Sequence, residues 1–175
     1  MSDDQVRTVA ITRLRIGSRH TSLKPEGHAD ASAAVRLDIG FESTAKEFLK
    51  HSPPTPGELE LAIYAIEDEL ATARKKIPTE SILVTSDRPI LGLLEIAVVD
   101  AADEQIFHLE LFEQMYQSLV AVSQGAMPPR IEAELSPEYA ATVLIIRELM
   151  HHLSFPAITM TTAGPHTAGG NRHTN

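Results

Sequence analysis

The chain contains no cysteine. That excludes disulfides, thiolate nucleophiles, iron–sulfur clusters and cysteine-ligated zinc, and it fits a reducing compartment. No apolar stretch approaches the roughly 18 residues of a membrane-spanning helix. The start, Met1 to Gln5, is acidic and polar, whereas a secretory signal has a basic start and then an apolar run. These absences predict a soluble cytoplasmic protein with no membrane partner. A Gly-x-Ser-x-Gly elbow, a P-loop and a Gly-x-Gly-x-x-Gly fingerprint are all missing, which removes the commonest serine-hydrolase and nucleotide signatures. Net charge is -9, from 15 basic and 24 acidic residues. The one basic concentration, Arg7, Arg13, Arg15, Arg19 and Lys24, has no aromatic residues interleaved, so no nucleic-acid partner is expected.

What is present describes a folded domain. With 175 residues, 43% hydrophobic and 22% charged, the chain is long and apolar enough for one core without staples. Residues 1–7 are expected to be flexible, 8–162 to form one α/β domain, and the Gly-, Thr- and His-rich 163–175 to be a disordered tail.

Val9, Ile11, Leu14 and Ile16 alternate imperfectly, with Arg13 and Arg15 opposite, and predict a strand over Thr8–Ile16. The polar stretch from Gly17 to Asp30 reads as a loop. Val35, Leu37 and Ile39 alternate with Arg36 and Asp38 and predict a second strand over Ala34–Phe41. The two strands are expected to pair antiparallel across the long connection. Thr55-Pro56-Gly57-Glu58 is a capping box with proline at the first helical position, so a helix is expected from Pro56 to about Lys75. Its apolar stripe is Leu59, Ile63, Ile66, Leu70 and Ala73.

Ser81–Thr85 predicts a short buried strand. Ser86-Asp87-Arg88-Pro89 predicts the start of a short helix through Ile96, and Ala97–Val99 fits either a strand or that helix's end. A further helix is expected from Asp103 to about Gln124, buried through Leu109, Phe112, Tyr116 and Leu119. Ser136-Pro137-Glu138 opens a last helix to about Leu153, nearly all apolar from Ala140 to Ile146. Phe155–Thr161 reads as a final strand. The expected fold class is α/β (or α+β): an N-terminal β-hairpin joined to a mixed sheet, with about four helices packed on it.

Three constellations could carry chemistry. Asp38-Ile39-Gly40-Phe41-Glu42-Ser43-Thr44 resembles, over seven residues, the first phosphate motif of the actin-like ATPase superfamily. The resemblance implies that Asp38 acts through a metal ion, Mg²⁺, and that Gly40, Ser43 and Thr44 approach phosphate. Phe41 and Glu42 depart from the pattern, and Ala45–Leu49 looks helical where the motif would continue into a hairpin. A strand end with a turn glycine is the plainer reading. Thr85-Ser86-Asp87 joins a strand end to a helix start, where amides can bind an anion; Ser86 and Asp87 are also what an N-cap requires. Asp87 would repel phosphate unless a metal intervened. Glu148-Leu149-Met150-His151 places a carboxylate and an imidazole on one helix face, a candidate metal pair to which His108, Glu110 and Glu113 could contribute. Equally, His151 and His152 suit the end of a helix dipole.

The apolar last helix and the apolar Ile90–Val99 segment look like more than one small domain buries. They favour a small non-enzymatic accessory protein that self-associates as a homodimer or docks on another protein. The alternatives are a phosphate-handling enzyme or nucleotide-binding domain using Asp38–Thr44 and Asp87, and a metal-binding protein using Glu148 and His151.

Overall fold

A computed structural model describes residues 10–26, 34–78, 80–87, 90, 92–93, 106–126 and 135–161. Its six strands form one mixed sheet: β1 (Ala10–Ile16), β2 (Thr21–Glu26), β3 (Val35–Leu37), β4 (Ser81–Thr85), β5 (Ile106–His108) and β6 (Ala157–Met160), in the order β3-β2-β1-β4-β6-β5. Four helices are labelled here α1 (Phe41–Phe48), α2 (Pro56–Ala73), α3 (Leu109–Ser123) and α4 (Pro137–His152). The α/β class, the mixed sheet and the four helices agree with the sequence reading. The proposed flexible start and tail lie outside the described residues, as do most of the segment after Asp87 and the connector near Met127.

Three sequence expectations are corrected. The stretch read as a loop after Gly17 contains β2, which pairs antiparallel with β1 from Ile16↔Thr21 to Ile11↔Glu26. Thr21, Leu23 and Pro25 are buried while Ser22, Lys24 and Glu26 alternate on the other side. One hydrophobic residue beside a proline is too weak a signal, although Pro25 is tolerated because β3 pairs only with Thr21 to Leu23 and asks no amide of it. The hairpin is therefore β1–β2 with a four-residue turn, and β3 neighbours β2 rather than β1. The second correction lies before α3: the segment Ile106–His108 is a strand antiparallel to β6, and the helix starts at Leu109. The second predicted strand also stops at Leu37, and Phe41 opens α1.

β1, β4 and β6 run parallel, joined by the register Leu14↔Thr85↔Met160. One sheet face carries Leu14, Ile16, Leu23, Leu83 and Ile158, and these share a single core with the helices. The opposite face presents Arg13, Arg15, Lys24, Ile82 and Ile106. The two predicted caps are present. Thr55 Oγ1 accepts from Glu58 N–H and Glu58 Oε2 accepts from Thr55 N–H, and Ser136 Oγ accepts from Tyr139 N–H.

The apolar run of α4 is covered from within. Residues 140–146 are at most 5% exposed, because α1, α2 and α3 pack around the helix and the sheet closes the remaining side. Ile90 and Leu93 join the same core. At about 1.5–3 kcal/mol for each fully buried large aliphatic side chain, this helix is a main source of stability.

Candidate functional site

Parallel strands β1, β4 and β6 all end at one edge of the sheet, and in open α/β sheets ligands bind in the crevice outside such carboxyl ends. Here that edge is formed by the β1–β2 turn, Gly17-Ser18-Arg19-His20, by Thr85-Ser86-Asp87 at the end of β4, and by Thr161 after β6. Backbone and hydroxyl bonds lock these three ends together. Asp87 Oδ2 accepts the N–H of Ile16 at 2.5 Å, Thr85 Oγ1 donates to Leu14 O at 3.0 Å, Asp87 N–H donates to Thr85 Oγ1 at 3.1 Å, and Thr161 N–H donates to Thr85 O at 2.7 Å. Burial pushes the Asp87 carboxyl above its ordinary range, opposed by the Ile16 amide and by Arg15. Its second oxygen, Oδ1, accepts no hydrogen bond among the described residues, so only one carboxylate oxygen is anchored.

The Asp38–Thr44 segment reaches the same edge in a different role. Gly40 is the N-cap of α1, and the first-turn amides are engaged: Phe41 N–H donates to Gly17 O, and the N–H groups of Glu42 and Ser43 both donate to Ser18 O, at 2.9–3.1 Å. Ser43 Oγ accepts the Gly40 N–H, and Thr44 is buried. Those amides clamp the β1–β2 turn onto α1. Glycine is needed at position 40 because a Cβ there would lie 2.5 Å from Arg19 C and 2.6 Å from Gly17 O. Asp38 stands on the rim with a 74% exposed side chain, 3.3 Å from Arg36 Nε and 3.5 Å from His20 Nδ1. Its amide donates to Glu69 of α2.

Glu148 and His151 belong to the other end. The last turn of α4 leads within a few residues to Ala157, the start of β6, about 13 Å along the strand from the edge that holds Asp87. The structure thus brings Asp38, Gly40, Ser43 and Asp87 to one edge and leaves Glu148 and His151 away from it. Around α4's end, Arg147 binds both Glu148 and Glu113 of α3, and lies 4.2 Å above the Tyr116 ring. His151 turns to Glu113, while His152 faces Glu148 and Glu67.

Sequence reasoning missed the β1–β2 turn and Thr161. The signal for the turn was Gly17 at the end of an alternating strand, masked by the weak pattern of β2. Nothing in the sequence marks Thr161.

No protein-family model and no curated protein matches the chain. Solved structures do. A Ppx/GppA enzyme from Aquifex aeolicus superposes with a TM-score of 0.68 at 12% identity, over 89% of this chain and 55% of its own. An exopolyphosphatase from Cytophaga hutchinsonii gives 0.69 at 14% identity, over 89% and 54%. An exopolyphosphatase-like protein gives 0.69 at 12% identity, over 92% and 58%. At these identities the likeness establishes the fold. The chain spans a little over half the length of these neighbours.

The expectation of a non-enzymatic accessory protein is overturned. Solved structures sharing this fold include a Ppx/GppA enzyme and an exopolyphosphatase, and the apolar helix that carried the expectation is buried inside its own domain. No helix among the described residues is long and apolar enough to cross a membrane.

Proposed function

We propose that the chain is a phosphate-handling domain whose carboxyl edge takes a phosphorylated anion together with Mg²⁺. The observation that carries this reading is the convergence of the ends of β1, β4 and β6 with the β1–β2 turn around one half-anchored carboxylate, Asp87. The fold neighbours named as phosphatases and exopolyphosphatases add support.

In this reading Asp87 Oδ1 faces the metal while Oδ2 stays on Ile16 N–H. The metal removes the repulsion that a bare carboxylate would exert on phosphate. Ser18, Arg19 and His20 of the turn, with Ser86, offer donors to the phosphate oxygens. Gly40 and Ser43 hold the turn in place. Asp38 stays on the rim with Arg36 and His20.

The test is calorimetry and thermal melting with ATP, ADP and inorganic polyphosphate, each with and without Mg²⁺. Stabilisation that requires Mg²⁺, is lost in Asp87→Asn and largely survives Asp38→Asn is the expected result. Absence of Mg²⁺-dependent binding by all three anions would sink the reading. Loss in Asp38→Asn alone would move the metal to the rim.

A further inference from the structure

Glu67 of α2 meets Glu148 and His152 of α4. One donor atom from each lies within 4.8 Å of the other two. His152 Nε2 is 3.2 Å from Glu67 Oε1 and 3.7 Å from Glu148 Oε2. Donor atoms sharing a cation at about 2.0–2.2 Å stand roughly 3–4 Å apart, so these edges suit a common ion with little movement.

Glu148 supplies a second, separate observation. Its side chain is 4% exposed, and Oε1 is taken by Arg147. Oε2 lies 3.7 Å from His152 Nε2. Charge bookkeeping agrees. Glu113 and Glu148 share the one guanidinium of Arg147, and Glu67 faces His152 and Glu148.

We propose that Glu67, Glu148 and His152 form a divalent-cation site between α2 and α4, with at least one coordination position open to water. One imidazole and two carboxylates suit a borderline ion such as Zn²⁺ or Mn²⁺ better than Ca²⁺. Arg147 orients Glu148 from behind, as outer partners do at metal sites. His151 is outside the site, held by Glu113. The site does not depend on the phosphate reading.

Calorimetry of the full chain with Zn²⁺ and with Mn²⁺ tests it. One saturable site, accompanied by a rise in melting temperature, is expected. His152→Ala and the half-exposed Glu67→Gln should weaken it by about 10-fold or more. His151→Ala should leave it intact, as should the double change His166→Ala and His173→Ala in the tail. A site that survives His152→Ala and Glu67→Gln, or that disappears with the tail histidines, overturns the proposal. So does the absence of any saturable site for either ion.

Discussion

The carboxylate of Asp87 closes on the backbone amide of Ile16 at 2.5 Å, tying the second residue after β4 to the last residue of β1. Because burial raises the Asp87 carboxyl, its ionised form costs stability in the fold. The folded state holds the proton more tightly than the unfolded one. This contribution is therefore fully present below the ordinary carboxylate value and is lost as pH rises through the raised one. Asp87→Asn keeps an oxygen for Ile16 without the charge. Denaturant melts should show the variant gaining on wild type as pH rises from 3 to 7, while Mg²⁺-dependent anion binding is lost. A gap that narrows with rising pH would refute the burial argument.

Gly40 should tolerate no side chain. A methyl group at 2.5 Å from Arg19 C meets backbone rather than a flexible side chain. Gly40→Ala should cost about 1–3 kcal/mol in urea melts, the usual range for overpacking. It should also weaken anion binding more than Ser43→Ala does. An Ala variant of native stability would mean that α1 and the turn are not clamped together.

Thr55→Ala should cost about 0.5–2 kcal/mol, since it removes the cap on Glu58 N–H. Glu58 adds a pH signature. Burial pushes its carboxyl up, but the Thr55 and Lys50 amides, His51 and the Thr55 hydroxyl together outweigh it and hold it at about 2. A depressed carboxylate contributes fully above its unfolded value and loses that contribution as pH falls toward the folded one. Wild type should accordingly lose stability relative to Glu58→Gln between pH 4.5 and about 2. Parallel stability curves for the two proteins over that window would contradict it.

Arg147→Met should cost about 3–5 kcal/mol at neutral pH, because it leaves the buried Glu148 without its guanidinium. Adding Glu148→Met should recover most of that loss, since a well-packed apolar pair replaces a buried ionic one. Urea melts of the two variants decide it. A double variant as unstable as the single one would mean that the pair is not coupled.

Local chemistry made much of the fold legible. The capping box at Thr55, the N-cap at Ser136, the prolines at Pro56 and Pro137, and the helical stripe of Leu59, Ile66 and Leu70 each act within a few residues, so they show in one dimension. Ser81–Thr85 was legible for the same reason. β2 was not, because its burial comes from neighbours on both sides and not from its own hydrophobicity. β5 was not, because three residues carry no period.

The sequence by itself determined where α2 and α4 begin and that Asp38, Asp87, Glu148 and His151 were worth watching. The tertiary structure alone decided what they do. Amides that a phosphate might have used are spent on Gly17 and Ser18, because α1 lands on a turn some 20 residues upstream in the chain. The α4 run is apolar all round because three helices and a sheet surround it, which no pattern within sixteen residues can distinguish from a partner's surface. His152 rather than His151 faces Glu148 and Glu67, because the rotation of α4 against α2 and α3 assigns each imidazole its carboxylate. Contacts between distant segments depend on the packing of whole elements, and that packing is written in no local stretch of the chain.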